Sequence, residues 1–371
     1  MSDWRASSLG ETVELQRGHD LPSNSRNAGG VPVIGSFGVT GHHDEAKYPG
    51  PGVAIGRSGA SIGHATYVAD DYWPLNTCLF VKDFKGNDPR WVYRLLDMTD
   101  FAAFNSGSAQ PSLNRNFLRS IPVSIPPLDE QQAIAEVLGA VDDKIVGNSR
   151  LGAAAFELSK TIFDAAVEGR PVQPMSRILR PILGGTPSRA NPDFWDGSRL
   201  WISAKDVTSA PCGVVIDTDE RITDDAVRNT KAKPLGAGSV IITARGTVGA
   251  VARLAEPASF NQSCYGFEPG VITQSVLYFG ILRATERAKA FAHGSVFDTI
   301  TMRTFDHLDF PELSSSSGSE LEQKLAPILE TIVACVRETR NLRSMREALL
   351  PNLMSGKLRV RHAVKNVETA I

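Results

Sequence analysis

Residues 121–135 read Ile-Pro-Val-Ser-Ile-Pro-Pro-Leu-Asp-Glu-Gln-Gln-Ala-Ile-Ala. This stretch gives the clearest indication of the architecture. Its prolines do not fit a helix interior, whereas Asp129 and Glu130 suit a first helical turn because they face the positive end of the helix dipole. The stretch therefore predicts an extended segment followed by a helix that begins at Glu130-Gln131. The helical pattern continues as far as Gly169, a residue typical of helix ends.

A second helical pattern follows Glu322-Gln323 and ends on Gly356. In both patterns apolar or small residues alternate at spacings of four and three, a heptad-like seam diluted by polar positions. An ordinary amphipathic helix covering a sheet is the alternative, but about 35 residues make a rod of about 50 Å. We therefore predict two long helices packed antiparallel as a coiled coil. The candidate seam residues are Ile134, Leu138, Val141, Ile145, Ile162, Leu325, Ile332, Leu342, Leu349 and Leu353.

Similar residues recur in the same order at a nearly constant separation. At separations of 188, 187 and 187 residues, the pairs are Arg57 and Arg245, Gly107 and Gly294, and Gly169 and Gly356. One such match is expected by chance, but several at one separation indicate an internal duplication.

The order along the chain is globule, helix, globule, helix. Short β-branched runs separated by Gly, Pro, Asn and Asp, with helical stretches late in each globule, predict mixed α/β domains. The predicted fold class is α+β, with two mixed α/β globular domains, two long helices packed as an antiparallel coiled coil, and a pseudo-two-fold internal repeat. The predicted boundaries are 1–125 and 170–312 for the globular domains, 126–169 for the first helix, and 313–371 for the second helix and tail.

The composition narrows the class of protein. A formal charge of −2 with 42% hydrophobic residues excludes a disordered chain and a protein that holds nucleic acid by bulk positive charge. The four cysteines lie far apart, without the spacing of a zinc site or a disulfide framework. With no signal-peptide pattern and no apolar run of membrane-spanning length, we expect a reduced, cytoplasmic protein that contacts no membrane.

No catalytic or metal-binding set is recognisable in the sequence. The patterns GxSxG and HExxH are absent, and the one His-acid cluster, His42–Glu45, has no counterpart in the second half. The Gly-rich segments at Gly56–Gly59 and Arg245–Gly249 match no phosphate-binding pattern. Each is either a hairpin turn or a surface that presents N–H groups and a guanidinium to a phosphate or base edge.

Polar loops with interspersed aromatic residues are the remaining candidates for function. Arg suits guanine, and Asn suits adenine, although such residues are also ordinary in loops. The candidate DNA-binding residues are Ser36, Arg57, Ser58, Gly59, Asn105, Ser108, Asn114, Arg115, Ser203, Lys205, Arg245, Gly246, Thr247, Ser295 and Arg303.

The stretch at 121–135 resembles a conserved region of the DNA-specificity (S) subunits of type I restriction–modification enzymes. So do Asp142–Ile145 and the sequence Leu-Leu-Pro-Asn-Leu-Met-Ser-Gly-Lys-Leu at 349–358. The segments Gly185–Ser188 and Asn191–Gly197 resemble the opening of a target recognition domain in that family. The resemblance covers essentially the whole chain.

This resemblance implies that each globule is a target recognition domain for one half of a bipartite, asymmetric double-stranded DNA site. It implies that the helices fix the spacer and dock two methyltransferase (M) subunits, and through them restriction/translocase (R) subunits. The chain itself would have no catalytic residues, no metal and no directly bound cofactor. S-adenosylmethionine, ATP and Mg would belong to the partner subunits.

The segment before the second helix departs from the family pattern. A serine run within Pro311–Gly318 replaces the proline-rich entry, and Pro327 falls in the expected first turns of the second helix. We therefore expect the second helix to copy the first less closely. Two other hypotheses stay open: an enzyme with a nucleotide site in the duplicated Gly-rich loops, and a scaffold that binds only proteins.

Overall fold

The architecture is taken from a computed structural model of the chain, which describes residues 4–104, 112–291 and 299–364. The chain divides into two compact units. Unit 1 contains Met1–Lys144 and Leu342–Ile371, and unit 2 contains Ile145–Asn341.

Short strands and two very long helices dominate the secondary structure. The strands of unit 1 are β1 (Arg5–Ser8), β2 (Glu14–Arg17), β3 (Val31–Gly35), β4 (Gly38–His43), β5 (Gly52–Gly56), β6 (Ala65–Val68), β7 (Trp73–Pro74), β8 (Cys78–Asp83) and β9 (Pro122–Ile125). Those of unit 2 are β10 (Val172–Pro174), β11 (Ile182–Leu183), β12 (Trp195–Ile202), β13 (Val214–Val215), β14 (Glu220–Ile222), β15 (Val240–Thr243), β16 (Val251–Leu254), β17 (Ala258–Phe260), β18 (Cys264–Phe267) and β19 (Asp309–Pro311).

The helices differ widely in length. They are α1 (Leu9–Thr12), α2 (Pro89–Met98), α3 (Arg115–Leu118), α4 (Leu128–Val167), α5 (Met175–Ile178), α6 (Ala204–Thr208), α7 (Asp224–Asn229), α8 (Gln274–Phe291) and α9 (Ser315–Met354). Short 3-10 turns occur at Ser23–Ser25, Gly59–Ser61, Ala102–Phe104, Pro192–Phe194, Pro211–Gly213 and Met302–Asp306.

The two units repeat one sheet architecture. Over the described ranges, unit 1 has sheets with strand orders β2-β8-β5-β6, β4-β3-β7 and β1-β9, and unit 2 has β11-β18-β15-β16-β13, β14-β12-β17 and β10-β19. The central strands β5 and β15 pair antiparallel on both sides, whereas β3-β7 and β12-β17 pair parallel. This correspondence confirms the predicted duplication and the mixed α/β content of both copies.

Each unit encloses its own hydrophobic core. In unit 1, the apolar faces of β3, β5 and β8 bury Ile34, Ala54 and Phe80. In unit 2, Ile242 of β15 and Tyr278 of α8 belong to one buried cluster with side chains of both long helices. The β-branched and aromatic residues that predicted these strands are therefore the residues that fill the cores.

The two long helices pack against each other antiparallel within each unit. In unit 1, Trp4 donates a hydrogen bond to Glu130 near the start of α4 and lies against Gly356, just beyond the end of α9. Further along α4, Asp142 accepts a hydrogen bond from Arg346 of α9 at 2.9 Å. In unit 2, Asn148 of α4 donates to Glu338 of α9 at 2.8 Å, and Phe163 of α4 shares the core with α9.

Both helices end as the glycines predicted. Gly169 and Gly356 have φ angles of +68° and +69°, the left-handed region that other residues avoid. The start of the second helix, in contrast, differs from the prediction. Because the Ser314 hydroxyl accepts a hydrogen bond from the Ser317 N–H at 3.2 Å, α9 begins at Ser315, seven residues before Glu322. Pro327 consequently lies inside α9 rather than in its first turns.

Candidate nucleic-acid interface

The Gly-rich segment of unit 1 forms the turn between β5 and β6. The Gly63 N–H donates to the Gly56 carbonyl, and the Gly56 N–H donates to the His64 carbonyl, both at 3.0 Å. These two hydrogen bonds close residues 57–63 into a compact loop. The segment is therefore a hairpin turn, and its contact with a phosphate or base edge stays a prediction.

Arg57 links this turn to two other segments of unit 1. Its N–H donates to the Thr77 carbonyl at 3.4 Å, and its carbonyl accepts from the Leu113 N–H at 2.8 Å. The guanidinium donates to the Asn76 carbonyl at 3.3 Å and to the Ser112 hydroxyl at 3.4 Å. Its Nε atom is buried without a hydrogen-bond partner in the described parts of the chain. Arg57 is thus half-buried and held in place by both backbone and side chain.

Positive charge is concentrated beside the Arg57 turn. Arg17 Nε donates at 3.4 Å to the same Asn76 carbonyl that Arg57 contacts. Burial, and secondly the charge of Arg17, lower the pKa of Arg57 below its ordinary value. The Asp20 carboxylate accepts a hydrogen bond from the Asn76 side chain, so this place combines two guanidinium groups with one carboxylate. The guanidinium groups are suited to a phosphate or a base acceptor.

Three further candidates of unit 1 lie around the same turn. The Ser36 hydroxyl donates to the Thr77 carbonyl at 3.1 Å, which ties the β3–β4 hairpin to the Arg57 turn. Ser58 forms an isolated β-bridge with Ser112. Gly59 has a φ angle of +61° and has open space where a side chain would stand. The structure therefore brings Ser36, Arg57, Ser58 and Gly59 together.

Asn114 and Arg115 begin the short helix α3, directly after Leu113. Asn114 Oδ1 accepts a hydrogen bond from the Asn116 N–H at 3.0 Å, so this side chain caps the helix. Both Asn114 and Arg115 are exposed. Because Leu113 is hydrogen-bonded to Arg57, they belong to the same part of unit 1 as the turn.

Unit 2 contains the same backbone arrangement. The Gly249 N–H donates to the Thr243 carbonyl at 2.8 Å and closes a turn between β15 and β16. Ala244 donates through its N–H to the Ser263 carbonyl at 2.7 Å, and its carbonyl accepts from the Ile300 N–H at 3.0 Å. These are the hydrogen bonds that Arg57 makes in unit 1.

The equivalence corrects one detail of the predicted repeat. The hydrogen bonds pair Arg57 with Ala244, 187 residues later, and not with Arg245. The turn of unit 2 is one residue shorter between its closing residues, so sequence similarity alone aligns the two arginines. As a result, the Arg57 guanidinium is half-buried whereas Arg245 is exposed.

The Arg245 turn presents its side chains to solvent. Arg245, Gly246 and Thr247 are all exposed. The base of the turn is fixed from α8, because Lys289 Nζ donates to the Gly249 carbonyl at 2.7 Å. Burial of Lys289 lowers the pKa of its ammonium group below the ordinary value. A rigid base and an exposed tip suit a surface that meets a ligand of fixed shape.

The remaining described candidates of unit 2 lie at two places. Ser203 caps α6 through reciprocal hydrogen bonds with Asp206. The Lys205 ammonium group is exposed and forms an ion pair with Asp219 at 2.6 Å. Arg303 is exposed in the 3-10 turn that follows Ile300. Ser203 therefore stabilises the start of α6, whereas the side chains of Lys205 and Arg303 are accessible to solvent.

Three candidates lie outside the described residues: Asn105, Ser108 and Ser295.

Arg189, Trp195 and Trp201 form a stack, beside the segments Gly185–Ser188 and Asn191–Gly197, that sequence reasoning did not anticipate. The Arg189 guanidinium lies 3.7 Å from the Trp195 ring centroid and donates to Glu220 at 2.8 Å. The Trp201 ring meets Trp195 edge-on at 5.0 Å. An Arg close to two Trp residues in sequence is the signal that predicts such a stack. With the hydrogen bond from Trp201 to the Gly185 carbonyl, the stack holds the segment around Gly185 and Arg189 against β12 and β14.

Almost all of the candidate seam residues are buried. Ile162 is half-buried, and the others are buried: Ile134, Leu138, Val141, Ile145, Leu325, Ile332, Leu342, Leu349 and Leu353. They stabilise the helix packing within each unit. Their involvement in docking other subunits stays a prediction.

The described ranges lack two kinds of feature. No helix there is long and apolar enough to cross a membrane. No group of three or more His, Cys, Asp or Glu side chains there is arranged to hold a metal ion.

The sequence matches a known family twice. Residues 1–151 and 182–341 match the type I restriction modification DNA specificity domain. A 149-residue segment is 28% identical to the type I restriction enzyme MjaIX specificity subunit of Methanocaldococcus jannaschii, covering 39% of this chain and 34% of that protein. A 139-residue segment is 24% identical to the EcoprrI specificity subunit of Escherichia coli, covering 36% of this chain and 35% of that protein. The matches thus span about a third of the length of these curated relatives.

The fold is similar to that of a solved structure. The crystal structure of a type I restriction-modification system S subunit from M. genitalium matches with a TM-score of 0.71 and 13% sequence identity, covering 95% of this chain and 96% of that one. At this identity the likeness concerns the fold.

Proposed function

Since the chain belongs to the family of type I restriction modification DNA specificity domains, we propose that it is the sequence-specific DNA-binding specificity subunit of a type I restriction–modification complex. Each globular domain, with the boundaries 1–125 and 170–312, recognises one half of a bipartite, asymmetric site. Two copies of one hydrogen-bonded turn carry this proposal, because they present different side chains on the same backbone. Arg57 occupies the place of Ala244, and Arg245 follows it. Related but unlike surfaces suit unlike half-sites, whereas two identical surfaces demand a palindrome.

We propose that the helical segments at 126–169 and 313–371 fix the spacer between the half-sites and dock two methyltransferase subunits. Restriction/translocase subunits join through the complex. Antiparallel packing within each unit, with buried seam residues, supports a stiff element, and stiffness lowers the ordering cost of binding two sites at once. Exposed apolar residues on α4, among them Leu151 and Leu158, are available for such docking.

In this proposal the subunit is not an enzyme and acts in the cytoplasm. S-adenosylmethionine, ATP and Mg are bound by the partner subunits, which perform methylation and cleavage. The nucleotide-site hypothesis receives less support, because a phosphate-binding loop leads into the N-terminus of a helix. Each Gly-rich turn instead connects two antiparallel strands, β5 to β6 and β15 to β16.

The test measures each half-site separately. Methylation sequencing of a strain that expresses the three subunits gives the bipartite motif. Competition gel shifts of the complex with the methyltransferase subunit then compare DNA altered in the first or the second half-site. We expect Arg57→Ala to lose discrimination at one half-site only, and Arg245→Ala at the other only.

Other outcomes have defined meanings. Equal loss at both half-sites in both variants would contradict the assignment of one half-site to each domain. Nuclease-resistant association with the methyltransferase without any DNA binding by the complex would favour the protein-only scaffold. Thermal stabilisation of the isolated chain by a nucleotide would favour the enzyme hypothesis.

A further inference from the structure

Phe37 is a large apolar side chain exposed at the tip of a hairpin in unit 1. The pairing of Gly35 with Gly38 leaves Ser36 and Phe37 as a two-residue connection between β3 and β4. The Phe37 side chain is 65% exposed. A single exposed apolar residue is ordinary on a protein surface, so what distinguishes Phe37 is its position beside the Arg57 turn.

The tip is held firmly beside the Arg57 turn. Ser36 donates to the Thr77 carbonyl at 3.1 Å, and the Arg57 N–H donates to the same carbonyl. The Phe37 ring lies 5.7 Å, centroid to centroid, from the ring of His64 at the other end of the turn. Phe37 is therefore a fixed apolar point among cationic and polar groups, and not a side chain on a loose loop.

The duplication gives Phe37 a counterpart in unit 2. The Ile34 carbonyl accepts from the Leu75 N–H, and the Ile202 carbonyl accepts from the Asn261 N–H, in the equivalent parallel pairs β3-β7 and β12-β17. Three residues beyond these isoleucines stand Phe37 and Lys205. Both are exposed. Phe37 lies in the connection between β3 and β4, whereas Lys205 lies in α6, so the two units differ in the structure that follows these equivalent strands.

We propose that Phe37 is a specificity-determining residue that contacts the C5-methyl group of a thymine in the half-site recognised by unit 1. This inference rests on the proposed function. A two-stranded hairpin fits the major groove of DNA, and the thymine methyl is the apolar group on the base edges there. A phenyl ring forms no hydrogen bond with the other base-edge atoms, so burying it selects for that methyl group. Arg57 and Arg17 supply the positive charge that holds the hairpin at the duplex.

The test selects DNA from a library in which the first half-site is randomised and the second is fixed. The complex of the full chain with its methyltransferase subunit is the binding species. We expect the wild type to prefer thymine at one position of the first half-site, and Phe37→Ala to lower that preference roughly tenfold. Preferences at the other positions and in the second half-site stay unchanged. Replacing that thymine by deoxyuracil, which lacks the methyl group, weakens the wild type by a similar factor and leaves Phe37→Ala unaffected.

Two controls separate a base contact from a change in folding. Met98→Ala truncates another exposed apolar side chain of unit 1, 42% exposed at the end of α2, and leaves the selected sequence unchanged. Phe37→Leu retains part of the thymine preference. An unchanged profile for Phe37→Ala, equal relaxation at every position, or a lost preference for a base other than thymine each overturns the inference. A wild-type complex that selects no sequence refutes the proposed function itself.

Discussion

The side-chain carbonyl of Gln131 accepts a hydrogen bond from the backbone N–H of Asp88 at 2.9 Å. Asp88 is the N-cap of α2, and Gln131 lies in the first turns of α4. The amide nitrogen of Gln131 also donates to Asn87 Oδ1 at 2.9 Å and to the Pro126 carbonyl at 3.0 Å. The Gln131 side chain is buried, with 2% exposure, whereas Asn87 and Asp88 are half-buried. One side chain thereby fixes the long helix to the globular part of unit 1.

Unit 2 reproduces this junction with a different residue. Glu322 Oε2 accepts from the Ser275 N–H at 2.9 Å at the start of α8. Ser275 follows Asp88 by 187 residues, the separation of the whole repeat. The first copy uses the Gln of its Glu-Gln pair and the second copy uses the Glu. The pair that opened each helical pattern in the sequence is therefore a junction between helix and globule in both units.

Gln131→Ala should destabilise unit 1. The change removes the partner of the half-buried Asp88 N–H, of Asn87 Oδ1 and of the Pro126 carbonyl, which costs about 1–3 kcal/mol in free energy of unfolding. Gln132→Ala, at the exposed neighbouring position, is the matched control and should change stability by less than about 0.5 kcal/mol. Urea unfolding of the full chain, followed by hydrogen exchange of α2, measures the difference. Equal stability of the two variants would contradict the conclusion that Gln131 fixes α4 to the globular part of unit 1.

The long helices and much of the sheet architecture were predictable because their patterns are local. Periodic apolar residues and terminal glycines located α4, and β-branched runs located β5 and β15. The start of α9 was predicted wrongly because Glu322-Gln323 and Pro327 are more recognisable in the sequence than the N-cap at Ser314. A proline inside a helix removes one donor, and the packing of the rest of α9 compensates for that loss.

The two Gly-rich turns were predictable from the sequence, but the hydrogen bonds that hold them were not. The Gly-rich turns stand out in the sequence, but whether Arg57 pairs with Ala244 or Arg245 depends on hydrogen bonds to Thr77 and Ser263, which are distant in sequence. The same holds for Phe37. Its exposure beside His64 results from the register of β3 against β4, which a single sequence does not specify.

A pair of leucine substitutions in α4 should have opposite effects. A Cβ atom at Gly152 would stand 3.4 Å from Cys212 Sγ and 3.8 Å from Cys335 Cβ, so the longer side chain in Gly152→Leu has no room and costs about 1–3 kcal/mol. Gly147 faces open space on the same helix. Gly147→Leu should therefore gain about 0.5–1 kcal/mol from helix propensity. Thermal unfolding of both variants checks the prediction, and a similar loss in both would contradict it.

The ion pair of Glu220 with Arg189 should make unit 2 sensitive to acid. The hydrogen bond from Arg189 lowers the pKa of Glu220 below its ordinary value of 4.5. A lowered carboxyl pKa stabilises the fold above the ordinary value, and this contribution disappears as the pH falls through the lowered one. Both side chains are well exposed, so solvent screening keeps the effect below about 1 kcal/mol.

Glu220→Gln should consequently be less stable than wild type at pH 7, and the difference should disappear as the pH is lowered through the lowered pKa of Glu220. The measurement is the thermal midpoint of each protein across this range, repeated in high salt, where the difference should shrink. Glu157→Gln, at an exposed position of α4, serves as the control. A difference that is constant with pH would exclude the ion pair as its cause.

Arg57 and Arg245 should differ in what they contribute to folding, even though both are proposed to contact DNA. The Arg57 guanidinium bonds the Asn76 carbonyl and the Ser112 hydroxyl, so Arg57→Ala removes contacts between three segments and costs about 1–2 kcal/mol. Arg245 is exposed, and Arg245→Ala should stay within about 0.5 kcal/mol of wild type. Calorimetry of the DNA-free chain measures both. Equal unfolding temperatures of the two variants would show that the hydrogen bonds of Arg57 do not stabilise the fold. Any effect of Arg57→Ala on half-site discrimination would then be due to loss of a DNA contact alone.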